Sequence, residues 1–174
     1  MDSLVVTVVG ADRPGLVSLL SDCGKAHGAS WEESRMASLG GQFAGIVHFR
    51  VPPGQAAALT GALRRLDATG LHVVVAADAG APPESGRLLR LELVGQDRPG
   101  IVRDISRVLA ELGISIRELT TELSSAAMSG EHMFNATALL QVPAGVPTAE
   151  LSKVLEALAN ELMVDVTLDE APAA

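Results

Sequence analysis

The sequence predicts an α+β fold built from two ferredoxin-like βαββαβ units in tandem. Three observations predict it. One stretch of the chain recurs, each copy passes through the same order of strand and helix patterns, and the returning strands are apolar on one face only. Residues 10–36 read GADRPGLVSLLSDCGKAHGASWEESRM and residues 95–121 read GQDRPGIVRDISRVLAELGISIRELTT. They align without a gap at a constant offset of 85 (Gly95 against Gly10), with Asp12/Asp97, Arg13/Arg98, Pro14/Pro99, Gly15/Gly100, Gly28/Gly113 and Ser30/Ser115 identical. A second anchor sets Val51-Pro52-Pro53-Gly54 against Val142-Pro143-Ala144-Gly145 at an offset of 91, so six extra residues enter the second copy. They fall most naturally in Ser124–Glu131, rich in small and polar residues.

Taken in order, LVVTVV (4–9) and LLRLELV (88–94) are short aliphatic runs that suit strands. D-R-P-G follows in each copy, with Pro14 and Pro99 expected in the first helical turn, where a missing N–H costs nothing. Leu16, Leu19, Leu20 and Cys23 then share one helix face, as do Ile101, Ile105, Val108, Leu109 and Leu112 in the second copy. Gly28 and Gly113 suit the left-handed stop that ends a helix. Strands start near Ser30 and Ser115; Gly40-Gly41 turns the first back, and Ser124–Glu131 is expected to form a longer loop in the second. On return, Val47, Phe49 and Val51 alternate with His48 and Arg50, and Phe134, Ala136, Ala138, Leu140 and Val142 alternate with polar neighbours. Second helices carry Leu59, Leu63 and Leu66, or Leu151, Leu155, Leu158 and Leu162, and the final strands are Leu71–Ala76 and Met163–Leu168. One-face-apolar strands with right-handed crossovers place both helices of a unit on one side of its sheet. The expected domains are residues 3–78 and 87–169, joined by the Pro/Gly/Ser-containing linker 79–86. A unit this small has an open sheet edge and a modest core, which pairing of units or chains would relieve.

Composition narrows the function. Of 174 residues, 48% are hydrophobic and 20% charged, a globular balance. A net charge of -8 repels a phosphate backbone, and 2% aromatics leave few platforms for stacking bases, so direct nucleic-acid binding is not expected. Cys23 is the sole cysteine, which excludes an intrachain disulfide and a cysteine-rich zinc site. No apolar run reaches membrane-spanning length, and MDSLVVTVVGADRPG lacks the basic start of a signal peptide. The expectation is a soluble, cytoplasmic protein without membrane contact.

The D-R-P-G turn is the sharpest local feature. A strand that runs through a turn into a helix presents unpaired amides at the positive end of the helix dipole, which suits a small carboxylate. Gly15 and Gly100 would admit the ligand close to the backbone, and Asp12 or Asp97 could meet its amino group. The competing reading is local: Asp caps the helix, Pro starts it, and Arg is solvated. No catalytic constellation stands beside this turn. His27, His48, His72 and His132 have no metal-ligand spacing, Cys23 lies on an apolar helix face, and Glu32-Glu33 and Glu118 read as solvated strand positions. A non-enzyme without cofactor or metal is expected.

G-x-D-R-P-G-[LI]-V at the first strand–helix junction (Gly10–Val17, Gly95–Val102) and G-[AI]-S at the second strand (Gly28–Ser30, Gly113–Ser115) resemble tandem ACT domains. A free-standing pair is similar to the glycine cleavage system transcriptional repressor family. The resemblance implies an amino-acid sensor whose ligand binds near the first strand–helix loop, at interfaces between ACT units. Carried over by position, the ligand residues are Gly10, Asp12, Arg13, Pro14 and Gly15, with Gly95, Asp97, Arg98, Pro99 and Gly100. It also implies a repressor acting through a DNA-binding protein partner, while the small core and open sheet edge of each unit lead to the expectation of a homodimer. The alternatives are a ligand-independent interaction scaffold or a regulatory subunit of an amino-acid metabolic enzyme.

Overall fold

Alternating aliphatic and polar residues form strand β1 (Asp2–Ala11), followed by α1 (Leu16–Ala26), β2 (Ser30–Leu39), β3 (Gln42–Val51), α2 (Ala56–Arg64) and β4 (Leu71–Ala77). The second copy repeats the order as β5 (Arg87–Gln96), α3 (Ile101–Glu111), β6 (Ser115–Ser125), β7 (His132–Val142), α4 (Thr148–Leu162) and β8 (Val164–Glu170). The computed structural model describes residues 1–78, 80, 86–125 and 130–171. The chain divides into two units, Met1–Pro82 and Pro83–Ala174. Most of the expected linker, and part of the expected loop Ser124–Glu131, lie outside the described residues.

Each sheet is antiparallel between neighbours, in the order β2-β3-β1-β4 in unit 1 and β6-β7-β5-β8 in unit 2. This is the expected split βαβ arrangement. Val6 and Val8 of β1, Val47 and Phe49 of β3, and Leu71 of β4 meet Leu20, Leu59 and Leu63 of the helices in the first core. Leu89, Leu91, Leu140, Leu109, Leu151 and Leu155 do so in the second. Among the described residues no polar or charged side chain is buried, as an aliphatic core without stray hydrogen-bonding groups requires. Both copies carry a β-bulge at the same place, between Trp31 and Glu33 and between Ile116 and Glu118. A bulge repeated at equivalent positions is a built feature of the edge strand.

The two cores solve one volume problem in opposite ways. In unit 1 a Cβ on Gly24 would stand 2.7 Å from the Phe49 ring, so the helix is notched to seat that ring. The equivalent positions in unit 2 are Leu109 and Leu140, both buried. Small-against-large has become two middle-sized residues. Trp31 closes the first arrangement edge-on to Phe49, with ring centroids 5.3 Å apart.

Two elements depart from expectation. The helix expected through Leu66 stops at Arg64, and Leu66 sits in a 3₁₀ turn, Arg65–Thr69, that tightens the chain before β4. Met163, expected to open the last strand, instead ends α4 in the left-handed region at φ 52°, and β8 begins at Val164. Gly70 holds the corresponding place in unit 1 at φ 84°. A left-handed non-glycine residue costs about 1–2 kcal/mol, and Met163 is largely exposed, with little packing to lose. Met163→Gly is therefore expected to stabilise unit 2 by about 0.5–1 kcal/mol after the extra chain entropy of glycine, measured as a higher urea midpoint.

Candidate functional site

At the end of β1 the chain leaves the sheet with the Asp12 amide still hydrogen-bonded to the Gly41 carbonyl, 2.9 Å away. Pro14 and Gly15 then turn it into α1. Gly15, at φ 93° and ψ -1°, is the N-cap and makes no side-chain cap bond. In unit 2 the Asp97 amide bonds the His132 carbonyl at 2.9 Å, and Gly100 caps α3 at φ 98° and ψ -3°. These angles belong to the third residue of a type II turn, with proline before it and glycine strongly favoured there. The tetrapeptide is thus a backbone device. It corrects two local readings: Pro14 and Pro99 precede the cap rather than starting the helix, and Asp12 and Asp97 do not cap it.

The arginines are not simply solvated either. Arg13 donates from Nη2 to the Thr69 carbonyl (3.1 Å), and Arg98 donates from Nη2 to the Glu161 carbonyl (3.0 Å). In each unit the turn is tied to the C-terminal end of the second helical segment, where carbonyls carry partial negative charge. Gly10 and Gly95 are buried. A Cβ on Gly10 would lie 2.5 Å from the Gly70 carbonyl oxygen, and one on Gly95 would lie 2.4 Å from a methyl of Val164. Their evident work is to let the first and last strands of each unit approach closely.

The two corners are not equivalent. Asp12, Arg13, Pro14 and Gly15 are exposed, and a Cβ on Gly15 would meet nothing within 4 Å. The first turn of α1 holds no acidic residue, so no side chain of that turn offsets the helix dipole. In unit 2, a Cβ on Gly100 would stand 3.6 Å from the Arg103 guanidinium and 3.7 Å from the Asp104 carboxylate, and these two side chains pair with each other at 2.9 Å. Asp104 places a carboxylate in the first turn of α3, where a ligand carboxylate would otherwise be favoured. Under α3 lies a small apolar cavity of about 30 Å³, lined by Ile101, Val102, Ile105, Leu119, Phe134 and neighbours. That is room for a water or two, not for an amino acid.

One polar cluster was not legible in the sequence. On the sheet face opposite the helices, Ser3 donates its hydroxyl to Asp78 (3.0 Å), leaving the oxygen to accept from His48 Nε2. His48 Nδ1 faces Glu32 at 3.7 Å, and Glu32 is held by Arg50 at 2.6 Å. The Gly80 amide, then the Ser3 hydroxyl, with His48 adding to them, hold the Asp78 carboxyl below the ordinary carboxylate value. The hydroxyl proton of Ser3 is committed to Asp78, so this row is not set up as a nucleophilic relay. It is invisible in sequence because Ser3, Glu32, His48 and Asp78 meet only once strand order is known. Of the other histidines, His27 bonds the Cys23 carbonyl at the end of α1 (2.9 Å), and His72 stands 3.7 Å from Asp67. Cys23 is half-buried beside the core, and desolvation pushes its thiol up from the ordinary value, with Arg65 opposing. Among the described residues no group of three His, Cys, Asp or Glu could hold a metal ion, and no helix is long and apolar enough to cross a membrane.

Models of the ACT domain match residues 2–76 and 89–134. The fold is similar to that of an unknown protein from Galdieria sulphuraria, at 32% identity and a TM-score of 0.87, over 98% of each chain. It is also similar to a candidate glycine cleavage system transcriptional repressor, at 20% identity and a TM-score of 0.70, over 97% of this chain and 96% of that one. No curated protein matches the sequence. With a repeated D-R-P-G turn in two βαββαβ units and both units matched, the chain belongs to the ACT-domain family and carries two such domains in tandem.

Proposed function

We propose that this chain is a non-catalytic regulatory protein that binds a small amino acid, glycine foremost, and modulates transcription through a DNA-binding protein partner. Its working form is a cytoplasmic homodimer, with domains at 3–78 and 87–169 joined by 79–86. The observation that carries the ligand reading is the open corner of unit 1. There the first turn of α1 carries no acidic residue, a Cβ on Gly15 would meet nothing within 4 Å, and Asp12 is exposed three residues ahead of the N-cap. A zwitterion meets both demands at once, with its carboxylate on the amides and its ammonium on Asp12. The corner is exposed, so a large apolar side chain would gain little there, and this favours a small ligand. The corner of unit 2, with Asp104 in place, is the weaker of the two. The likeness to a candidate glycine cleavage system repressor supports the transcriptional reading, and the net charge of -8 supports action through a protein rather than on DNA.

Titration calorimetry of the full chain against glycine, serine, alanine and the larger amino acids is the test. Saturable binding at or below millimolar concentration, strongest for a small amino acid, is the expected result. Absence of heat for every amino acid would overturn the sensor reading and leave the second one, a ligand-independent scaffold or regulatory subunit. One observation favours that alternative: Ile46 and Val74 are exposed on the sheet of unit 1, as a protein-docking face would be.

A further inference from the structure

The duplication supplies an internal control for the sheet faces that the helices leave uncovered. In unit 1 that face is formed by odd-numbered residues of β1 and their partners across the sheet. Around Thr7 its centre is apolar: Val5, Ala37, Ala44, Ile46, Val74 and Ala76. By register, the equivalent residues of unit 2 are Arg90, Glu122, Asn135, Thr137, Thr167 and Asp169, around Glu92. Each of these apolar residues has a polar or charged counterpart. The exchange runs the other way at His48, whose counterpart is Leu139, and Val9 keeps valine at Val94. Ile46 is 51% exposed and Val74 is 67% exposed, so β-branched side chains stand in solvent where unit 2 shows that threonine serves the same fold.

We infer that this apolar face of unit 1 is the self-association surface of the protein, meeting the same face of a second copy about a two-fold axis. The inference rests on the homodimer proposed above and not on the ligand. Charge selects the occupant. The uncovered face of unit 2 carries Glu92, Glu118, Glu122, Asp165 and Asp169 against Arg90, so pairing it with itself would oppose like charges. The unit 1 face has an apolar centre and a fringe of both signs, with Glu33 and Arg35 paired at 3.2 Å and Glu32 and Arg50 at 2.6 Å. In a two-fold interface each fringe residue meets a residue of the same patch, so a fringe of both signs escapes the like-charge opposition that an all-acidic face would meet. Size sets the expected strength. Four strands about 4.8 Å apart and seven residues long at about 3.3 Å each present roughly 450 Å² of sheet. Two copies then cover roughly 900 Å², below the roughly 1,200 Å² of a standard specific interface and in the range of weak, transient contacts. The dimer is accordingly expected to dissociate on dilution through the micromolar range.

Sedimentation equilibrium of the full chain tests this, with variants that borrow unit 2's own solution. Ile46→Thr with Val74→Thr keeps β-branching and strand propensity, so folding is retained, yet dimerisation is expected to weaken at least tenfold. Ile46→Glu with Val74→Glu is expected to give monomer at every concentration, with the far-UV circular dichroism of the wild type. Thr137→Glu with Thr167→Glu, on the other unit, is expected to leave the dimer intact. A wild type that stays monomeric overturns both this inference and the homodimer. A wild-type dimer that neither Ile46/Val74 pair weakens overturns the choice of face alone, and so does a dimer broken by the Thr137/Thr167 pair.

Discussion

Phe49→Ala is expected to lower the stability of unit 1 by about 3–5 kcal/mol, the range for removing a buried aromatic side chain. Phe49 is 1% exposed and fills the notch that Gly24 leaves in α1, so the vacated space has walls of helix backbone that cannot collapse readily. Loss of the edge-on contact with Trp31 removes a further aromatic term, about 0.5–1.5 kcal/mol in comparable pairs. The chain's one tryptophan lies in unit 1. Its fluorescence during urea unfolding therefore reports that unit separately, which matters in a chain of two domains. The duplication also names the rescue. Gly24→Leu with Phe49→Leu writes in the pair that unit 2 uses, Leu109 and Leu140, and is expected to return to within about 1.5 kcal/mol of the wild type. Gly24→Leu alone should be destabilising, because its side chain enters the space of the Phe49 ring. If the double variant proves no better than Phe49→Ala, the two cores are not interchangeable solutions of one packing problem.

Asp12→Ala is expected to separate binding from folding. Asp12 is exposed and makes no cap bond to α1, so its loss should change stability by no more than about 0.5 kcal/mol. A charge-assisted hydrogen bond to the ligand ammonium contributes about 1.5–3 kcal/mol, which corresponds to a roughly ten- to hundredfold loss of affinity. Asp97→Ala should have the smaller effect, because Asp104 already disfavours an anion at the N-terminus of α3. Calorimetry and urea unfolding on the same samples decide the matter. Unchanged affinity for Asp12→Ala would remove the D-R-P-G corner as the ligand site, and a stability loss above about 1 kcal/mol would restore Asp12 to a capping role.

The repeat made much of the fold readable, because each copy tested the other. Pro14 and Gly15 signalled a tight turn, since proline's fixed φ and glycine's freedom at positive φ act within two residues. What the turn does for the helix is less legible. Asp ahead of a helical pattern is the usual N-cap signature, yet a left-handed glycine takes the cap in both units, and Asp12 and Asp97 stand outside it. Met163 departs from expectation for a related reason. Its β-propensity neighbours suggest a strand start, whereas the demand for a left-handed residue at the end of α4 arises from how the helix must turn back into β8.

Sequence alone therefore determined the duplication, the order of elements, the aliphatic core and the position of the repeated turn. All of these depend on periodicity or on conformational limits acting over a few residues. Tertiary structure decided what the repeated residues and their neighbours touch: Arg13 on Thr69, Arg98 on Glu161, Gly10 against the Gly70 carbonyl, and Ser3 with His48 and Asp78. It also decided which alternating face is covered by helices and which stands open, and hence that the open one is apolar in unit 1 and acidic in unit 2. The physical reason is that an alternating strand names two faces without saying what lies over either. Strand order and the handedness of the crossovers settle that, and they are properties of the assembled sheet.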